Sequence, residues 1–241
     1  MTIRKRLAAM FAVTMLALWA TTASAMHIFI SDLNGTYDWI YDGDTEDLDP
    51  REGGVLYNGI PFGDWSLTVT YGDGYPLFGT PDTPDNHMGI IASSSQAADL
   101  FVAFYDFDTP FGDDYYNAGT LAWYAEMFGS LNQGSTLEWG ACGGNFNDGS
   151  LCNWTVDGQG QVTEIAPFNP LITMSGFGSG GGTETFTENY GTVIYAFLSH
   201  SQGGTSSLDS AFRGVPEPAT LALLGIGLVG LGFARRKQQS A

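Results

Sequence analysis

Trp65-Ser66-Leu67-Thr68-Val69-Thr70-Tyr71 alternates apolar and polar side chains without a break. A period of two sets the apolar residues on one face of an extended segment and Ser66, Thr68 and Thr70 on the other, toward water. That is the pattern of a half-buried strand. The same reading applies to residues 88–92, 100–107, 121–128, 137–141, 161–165, 171–177, 183–187 and 193–198. Turn formers punctuate these runs, among them Gly63-Asp64, Gly72-Asp73-Gly74, Thr109-Pro110, Asn132-Gln133-Gly134 and Asp157-Gly158. No stretch between Met26 and Gly214 repeats apolar residues at helical spacing. About nine short strands with turn-rich links predict an all-β domain, an antiparallel β-sandwich of jelly-roll-like type. Helix is expected only in two terminal segments.

The first of these segments opens with Arg4-Lys5-Arg6, runs apolar from Leu7 to Ala20 and closes with Ala23-Ser24-Ala25. A basic start, an apolar centre and small residues at Ala23 and Ala25 predict a signal peptide cut after Ala25. Residues 1–25 are then leader and residues 26–214 the exported domain, large enough for a full hydrophobic core.

The second segment reads Val215-Pro216-Glu217-Pro218, then apolar from Ala219 to Ala234, then Arg235-Arg236-Lys237. This order resembles the PEP-CTERM protein-sorting signal of Gram-negative bacteria, also labelled an ice-binding protein C-terminal domain. The resemblance implies delivery across the inner membrane, transient anchoring there, and processing by an exosortase-type membrane enzyme. It also implies release to the cell surface or medium, in bacteria that make extracellular polysaccharide. Within the domain, Ile30-Ser31-Asp32, residues 62–70, residues 100–107 and Tyr190-Gly191-Thr192-Val193 are similar to small secreted proteins carrying this tail, which implies an all-β fold and no assigned catalytic residues. Elementary geometry agrees with an anchor over 215–241: a 16-residue helix reaches ~24 Å against a hydrocarbon core of ~30 Å. Arg235, Arg236 and Lys237 stay cytoplasmic by the positive-inside rule, and Pro216 and Pro218 keep the neck extended. Gly225, Gly227 and Gly230 satisfy G-x-G-x-x-G, but the chain that follows is too short for a dinucleotide fold.

Charge is concentrated in the domain. Arg51 and Arg213 are its only bases against 25 acids, a formal charge of −23, and no lysine occurs between Lys5 and Lys237. Such a field repels phosphate backbones and excludes nucleic acid as a partner, while it attracts cations. Cys142 and Cys152 are the only cysteines, and in an oxidising compartment they are expected to pair, closing a loop worth about 2–4 kcal/mol.

The densest polar cluster is Asp42-Gly43-Asp44-Thr45-Glu46-Asp47-Leu48-Asp49-Pro50-Arg51-Glu52. Asp42, Asp44, Glu46, Asp47 and Asp49 can supply the hard oxygens that calcium takes, although the spacing is not that of an EF-hand; a solvated acidic loop is the alternative. His27, His87 and His200 are scattered, and no esterase elbow, zinc-protease or phosphate-loop motif occurs. A histidine at a mature N-terminus can chelate copper, but the predicted cut leaves Met26 ahead of His27. Asp113-Asp114 and Asp106-x-Asp108 are acid pairs of the type glycosidases use. Trp39, Tyr41, Tyr115, Tyr116 and Trp154 suit either stacking on sugar rings or packing. Thr183-x-Thr185-x-Thr187 is a single run, not the repeated array an ice-binding face needs. The chain reads as a non-enzymatic exported protein associated with extracellular polysaccharide; a secreted carbohydrate-active enzyme or carbohydrate-binding module is the alternative.

Overall fold

The computed structural model describes residues 26–215 except 59, 76, 81, 107–115, 145–149, 152–153, 157–161 and 165–171. Sixteen strands follow in order: β1 Met26–Ser31, β2 Tyr37–Tyr41, β3 Gly54–Tyr57, β4 Ile60–Phe62, β5 Trp65–Asp73, β6 Asp85–Ser94, β7 Ala98–Asp106 and β8 Gly119–Ser130. The second half holds β9 Thr136–Gly144, β10 Ser150–Leu151, β11 Trp154–Val156, β12 Val162–Glu164, β13 Ile172–Ser175, β14 Gly178–Phe186, β15 Gly191–His200 and β16 Gly204–Val215. All pairings are antiparallel. A six-stranded sheet runs β13-β9-β15-β7-β1-β2, and a seven-stranded sheet runs β14-β8-β16-β6-β5-β3 with β4 on β5; β10-β11-β12 form a small third sheet. The chain crosses between the two large sheets at β2 to β3, β6 to β7, β7 to β8, β8 to β9 and at each step from β13 to β16, so that within these sheets only β1–β2, β4–β5 and β5–β6 pair strands consecutive in sequence. The predicted antiparallel sandwich is therefore present.

The core lies where inward residues of both sheets meet. Ile28, Ile30, Val102, Phe104, Trp139, Ile194 and Ala196 come from the first sheet, and Trp65, Leu67, Met88, Ile90, Trp123, Met127, Leu208 and Phe212 from the second. Pleating alternates the remaining residues outward. On the six-stranded sheet the outward set is also apolar and buried: Phe29, Phe101, Ala103, Tyr105, Cys142, Val193 and Tyr195 form a second cluster. The seven-stranded sheet instead turns charge outward. Arg213 bridges Asp85 at 3.2 Å and Glu126 at 3.8 Å, and His87 lies 3.1 Å from Asp85, half-exposed pairs of the kind worth little stability.

The stretch that decided the fold is a strand but not a regular one. Its pairing with β6 slips between Leu67 and Val69, a bulge that reverses the pleat. Trp65 and Leu67 point into the core, and beyond the bulge it is Thr70 that is buried, while the Tyr71 hydroxyl reaches outward to Asp209 at 3.5 Å. The expectation that every threonine of this run faces water is thus corrected at Thr70. Gly63-Asp64 forms the expected two-residue hairpin turn between β4 and β5. Gly63 has φ +56°, and a Cβ there would overlap the Asp32 carboxylate. No helix occurs among the described residues; the expected signal and anchor helices lie outside them.

Candidate functional site

β2 is the edge of the six-stranded sheet, and its pleat places Tyr37, Trp39 and Tyr41 on one side. The strip they form is ~13 Å long at strand rise. Trp39 rests on Phe29 at a ring separation of 4.6 Å and lies 5.5 Å from His27, while Tyr41 sits 5.1 Å from His27. Trp39 and Tyr41 are nearly parallel, 17° apart at 6.4 Å. The inner side of each ring is thus fixed by packing, and the outer side remains partly open: Tyr37 is exposed, Trp39 and Tyr41 half-buried. Burial and the Asp44 carboxylate push the Tyr41 phenol above its ordinary pKa.

The acidic loop follows directly from this strip. Its carboxylates are turned onto backbone amides. Asp42 accepts from Gly53 N at 2.7 Å, and Asp44 from Tyr41 N at 3.3 Å. Asp47 accepts from Gly43 N at 3.0 Å, Asp49 N at 2.8 Å and Leu56 N at 2.9 Å. Asp49 takes the Arg51 amide at 3.0 Å and the Arg51 guanidinium, which also reaches Asp73 at 3.2 Å. Glu46 shares a hydrogen bond with Asp38, whose carboxyl is pushed up by burial and then by Glu46. Burial likewise raises Asp42, against the pull of the Gly53 amide. Among the described residues no group of three or more His, Cys, Asp or Glu is arranged to hold a metal ion.

Two buried polar clusters close the ends of the sandwich. At one end His200 of β15 lies between the sheets. Ser94 donates to Gln96 O at 2.8 Å, so its oxygen is left to accept from His200 Nδ1, also at 2.8 Å. Nε2 then accepts from Ser206 at 2.8 Å, and the Ser206 oxygen accepts from Asn132 N at 2.9 Å. The network assigns a neutral ring with its proton on Nδ1. Trp65 packs on that ring at 4.5 Å and donates its indole N–H to Asp99 O at 2.8 Å. Burial lowers the His200 pKa.

At the other end Asp106 of β7 is fully buried. Its Oδ2 accepts from Tyr75 N at 3.2 Å and lies against the Tyr116 hydroxyl, which also faces Asn86 Oδ1 at 3.1 Å. Asn86 donates across the sheets to Thr192. One phenolic hydrogen serves two acceptors here, and a proton on Asp106 supplies the missing donor. Asp106 Oδ1 is buried without a hydrogen-bond partner, and burial pushes the carboxyl up to about 7.

Several sequence-derived candidates fall elsewhere than expected. Tyr116 is wholly buried and offers no sugar-stacking face, and Asp106 is a core acid. His27 is buried, stacked on Tyr105 at 4.6 Å, with its pKa lowered to about 3 by burial. Cys142 is buried on β9, and no free cysteine occurs among the described residues. Cys152, Asp108, Asp113, Asp114, Tyr115, Ala23, Ala25, Pro216, Glu217, Pro218, Arg235, Arg236 and Lys237 lie outside the described residues. The two end clusters were missed from sequence, since isolated serines, an asparagine and a histidine carry no spacing signal.

Residues 214–237 match the PEP-CTERM protein-sorting motif, and the chain carries that motif. It is a signal for export and exosortase-dependent sorting to the cell envelope or surface. No curated protein matches the chain. Among solved structures, the adhesin domain of Epf from Streptococcus pyogenes shares 12% identity over 79% of this chain and 57% of its own, with a TM-score of 0.37. TmCBM61 in complex with beta-1,4-galactotriose shares 8% over 64% of this chain and 90% of its own, with a TM-score of 0.27. Isomalto-dextranase of Arthrobacter globiformis T6 shares 15% over 73% and 24%, with a TM-score of 0.23. The chain spans little more than half of the Epf chain, and likenesses at these scores carry no argument about activity.

Proposed function

We propose that this chain is a non-enzymatic exported protein that holds extracellular polysaccharide at the cell surface or in the secreted matrix. Its leader is cut after Ala25, residues 219–234 anchor it transiently, and an exosortase-type membrane enzyme cuts near Pro216-Glu217-Pro218. The observation that carries the binding role is the strip Tyr37, Trp39 and Tyr41: three rings spaced along one edge strand, fixed from beneath and open outward. Aromatic rings held this way present apolar faces to the C–H faces of sugars while their polar atoms stay in water. A glycosidase would instead need two carboxylates converging in a cleft, and Asp106 is enclosed by Tyr116, Asn86 and Tyr75. Cys142 and Cys152 are proposed to pair and to tie the segment after β9 to the sheet.

Affinity electrophoresis through gels containing the producing organism's own extracellular polysaccharide tests the binding role. The exported protein is expected to be retarded; Trp39→Ala should weaken retardation at least tenfold in a protein still folded at the assay temperature, with a lower Tm from the lost packing on Phe29, and Tyr37→Ala should weaken retardation with little change in Tm. Migration unaffected by the polymer would overturn the reading. Intact mass of the exported protein tests processing: loss of the first 25 residues and of most of the chain after Val215 is expected, and a mature form keeping Arg235-Arg236-Lys237 would refute it.

A further inference from the structure

The free edge of the seven-stranded sheet takes no part in the strip above. β14 reads Gly-Ser-Gly-Gly-Gly-Thr-Glu-Thr-Phe and pairs with β8 without a slip from Gly178 opposite Met127 to Phe186 opposite Gly119. It ends the sheet, and among the described residues no strand lies on its other side. Alternate amides and carbonyls of nine residues therefore face outward. An edge of that length is a template for another strand, and this one lacks the devices that prevent pairing: it has no proline, no lysine, no bulge and a single acid. Beside it stand three exposed aromatics, Tyr124, Phe128 and Phe177, at 37%, 51% and 39%. They give the edge an apolar margin on a face otherwise rich in charge.

We infer that β14 is a self-pairing edge at which a second copy of this chain docks, antiparallel and two-fold symmetric about Gly182. The sequence of the strand suits itself in that register. With Gly182 opposite its own counterpart, Thr183 falls opposite Gly181, Glu184 opposite Gly180 and Thr185 opposite Ser179. No carboxylate meets its twin, and the larger central side chains each meet a glycine. Thr185 and Ser179, both exposed, form a hydroxyl pair of the kind that stabilises cross-strand neighbours. A foreign peptide would gain the same backbone bonds but few side-chain pockets, since four of nine residues are glycine. A closed two-fold contact of this kind consumes both edges and does not grow into a fibre. Such a contact is small by the standards of stable dimers, and the charge of −23 on each exported domain opposes it. The dimer is accordingly weak and strengthened by salt.

Analytical ultracentrifugation of the exported protein over a range of protein and sodium chloride concentrations tests the inference. A reversible monomer–dimer equilibrium that tightens with salt is expected. Ser179→Asp with Thr185→Asp sets carboxylates across from each other at both pairs and should weaken the dimer at least tenfold, with Tm unchanged because both positions are exposed. Ser179→Lys with Thr185→Glu sets opposite charges across the same pairs and should restore a dimer that salt strengthens less than it does the parent. A protein that stays monomeric at every concentration and salt overturns the inference. So does a dimer indifferent to both double substitutions, or one that the charge-complementary pair fails to restore.

Discussion

The two ends of the sandwich solve one problem with opposite chemistry. Both must carry the chain between sheets, and both do so around a buried polar group reaching from one sheet to the other. Around His200 every donor finds an acceptor: Asn132 N, the Ser206 hydroxyl, the imidazole and the Ser94 hydroxyl pass hydrogen bonds along one line to Gln96 O. Around Asp106 the count fails by one, leaving Oδ1 without a partner. Each group folds in its neutral form, but neutrality has opposite pH signatures for an acid and a base. Asp106, raised from 3.8 to about 7, contributes fully below its unfolded pKa and loses that contribution as pH climbs toward 7. His200, lowered from 6.5, contributes fully above that value and loses its contribution as pH falls through 6.5 toward the folded pKa. The end with every hydrogen bond satisfied thus weakens in acid, and the end with one unmet weakens toward neutral pH.

The largest effect expected concerns Asp106. Raising the Asp106 carboxyl from 3.8 to about 7 corresponds to roughly 4 kcal/mol of its contribution lost between pH 4 and pH 8. Asp106→Asn keeps the shape and cannot ionise. Urea unfolding should show the variant more stable than the parent at pH 8 and little changed at pH 4, a comparison in which the parallel charging of His27 and His200 cancels. An equal pH difference in both proteins would mean that the acid is ionised and tolerated in the fold. With that contribution removed, the Asp106→Asn protein should lose stability as pH falls below 6.5, where unfolding lets the buried neutral His27 and His200 take up protons.

Breaking the satisfied end is expected to cost less. Ser206→Ala removes the link between Asn132 N and His200 Nε2 and leaves both unmet, a loss of about 1–3 kcal/mol at pH 8. Chemical denaturation measures it, and a neutral result would mean that water replaces the hydroxyl. The smallest effect belongs to the exposed loop after β2. Asp47 accepts three backbone amides there, and Asp47→Ala should lower stability by about 1 kcal/mol. Calcium titration of the same loop tests the calcium expectation. If amides and Arg51 already engage its carboxylates, Tm should rise gradually with any salt. A saturable rise with calcium that Asp44→Asn and Asp47→Asn abolish would establish an ion cage.

Where a strand buries one face and solvates the other, its alternation was plain: β8 and the first half of β5 lie where the pattern put them. β1 escaped notice because His27, Phe29 and Ser31 are buried as thoroughly as Ile28 and Ile30, which removes the polar half of the pattern. β16 escaped for the converse reason. Its inward positions are Ser206, Leu208, Ser210 and Phe212, and buried serines read as surface until their partners are seen; Ser210 donates to Met88 O at 3.1 Å. The bulge at Thr68 follows from pairing with β6 and leaves no mark in a perfect alternation. For the candidate site, Trp39 and Tyr41 were legible as residues, but that they share an edge strand with Tyr37 depends on β2 pairing with β1 at the end of the sheet.

Arg51 and Arg213 are more than a charge count. Arg51 is clamped between Asp49 and Asp73, and Arg213 sits in a strand bonded on both sides, to β6 and to β8. With no lysine in the exported domain, these are the only two peptide bonds there that a trypsin-like protease can address. One lies in a pinned turn and the other inside a sheet. A protein sorted to the cell envelope or surface thereby offers a trypsin-like protease few places to cut.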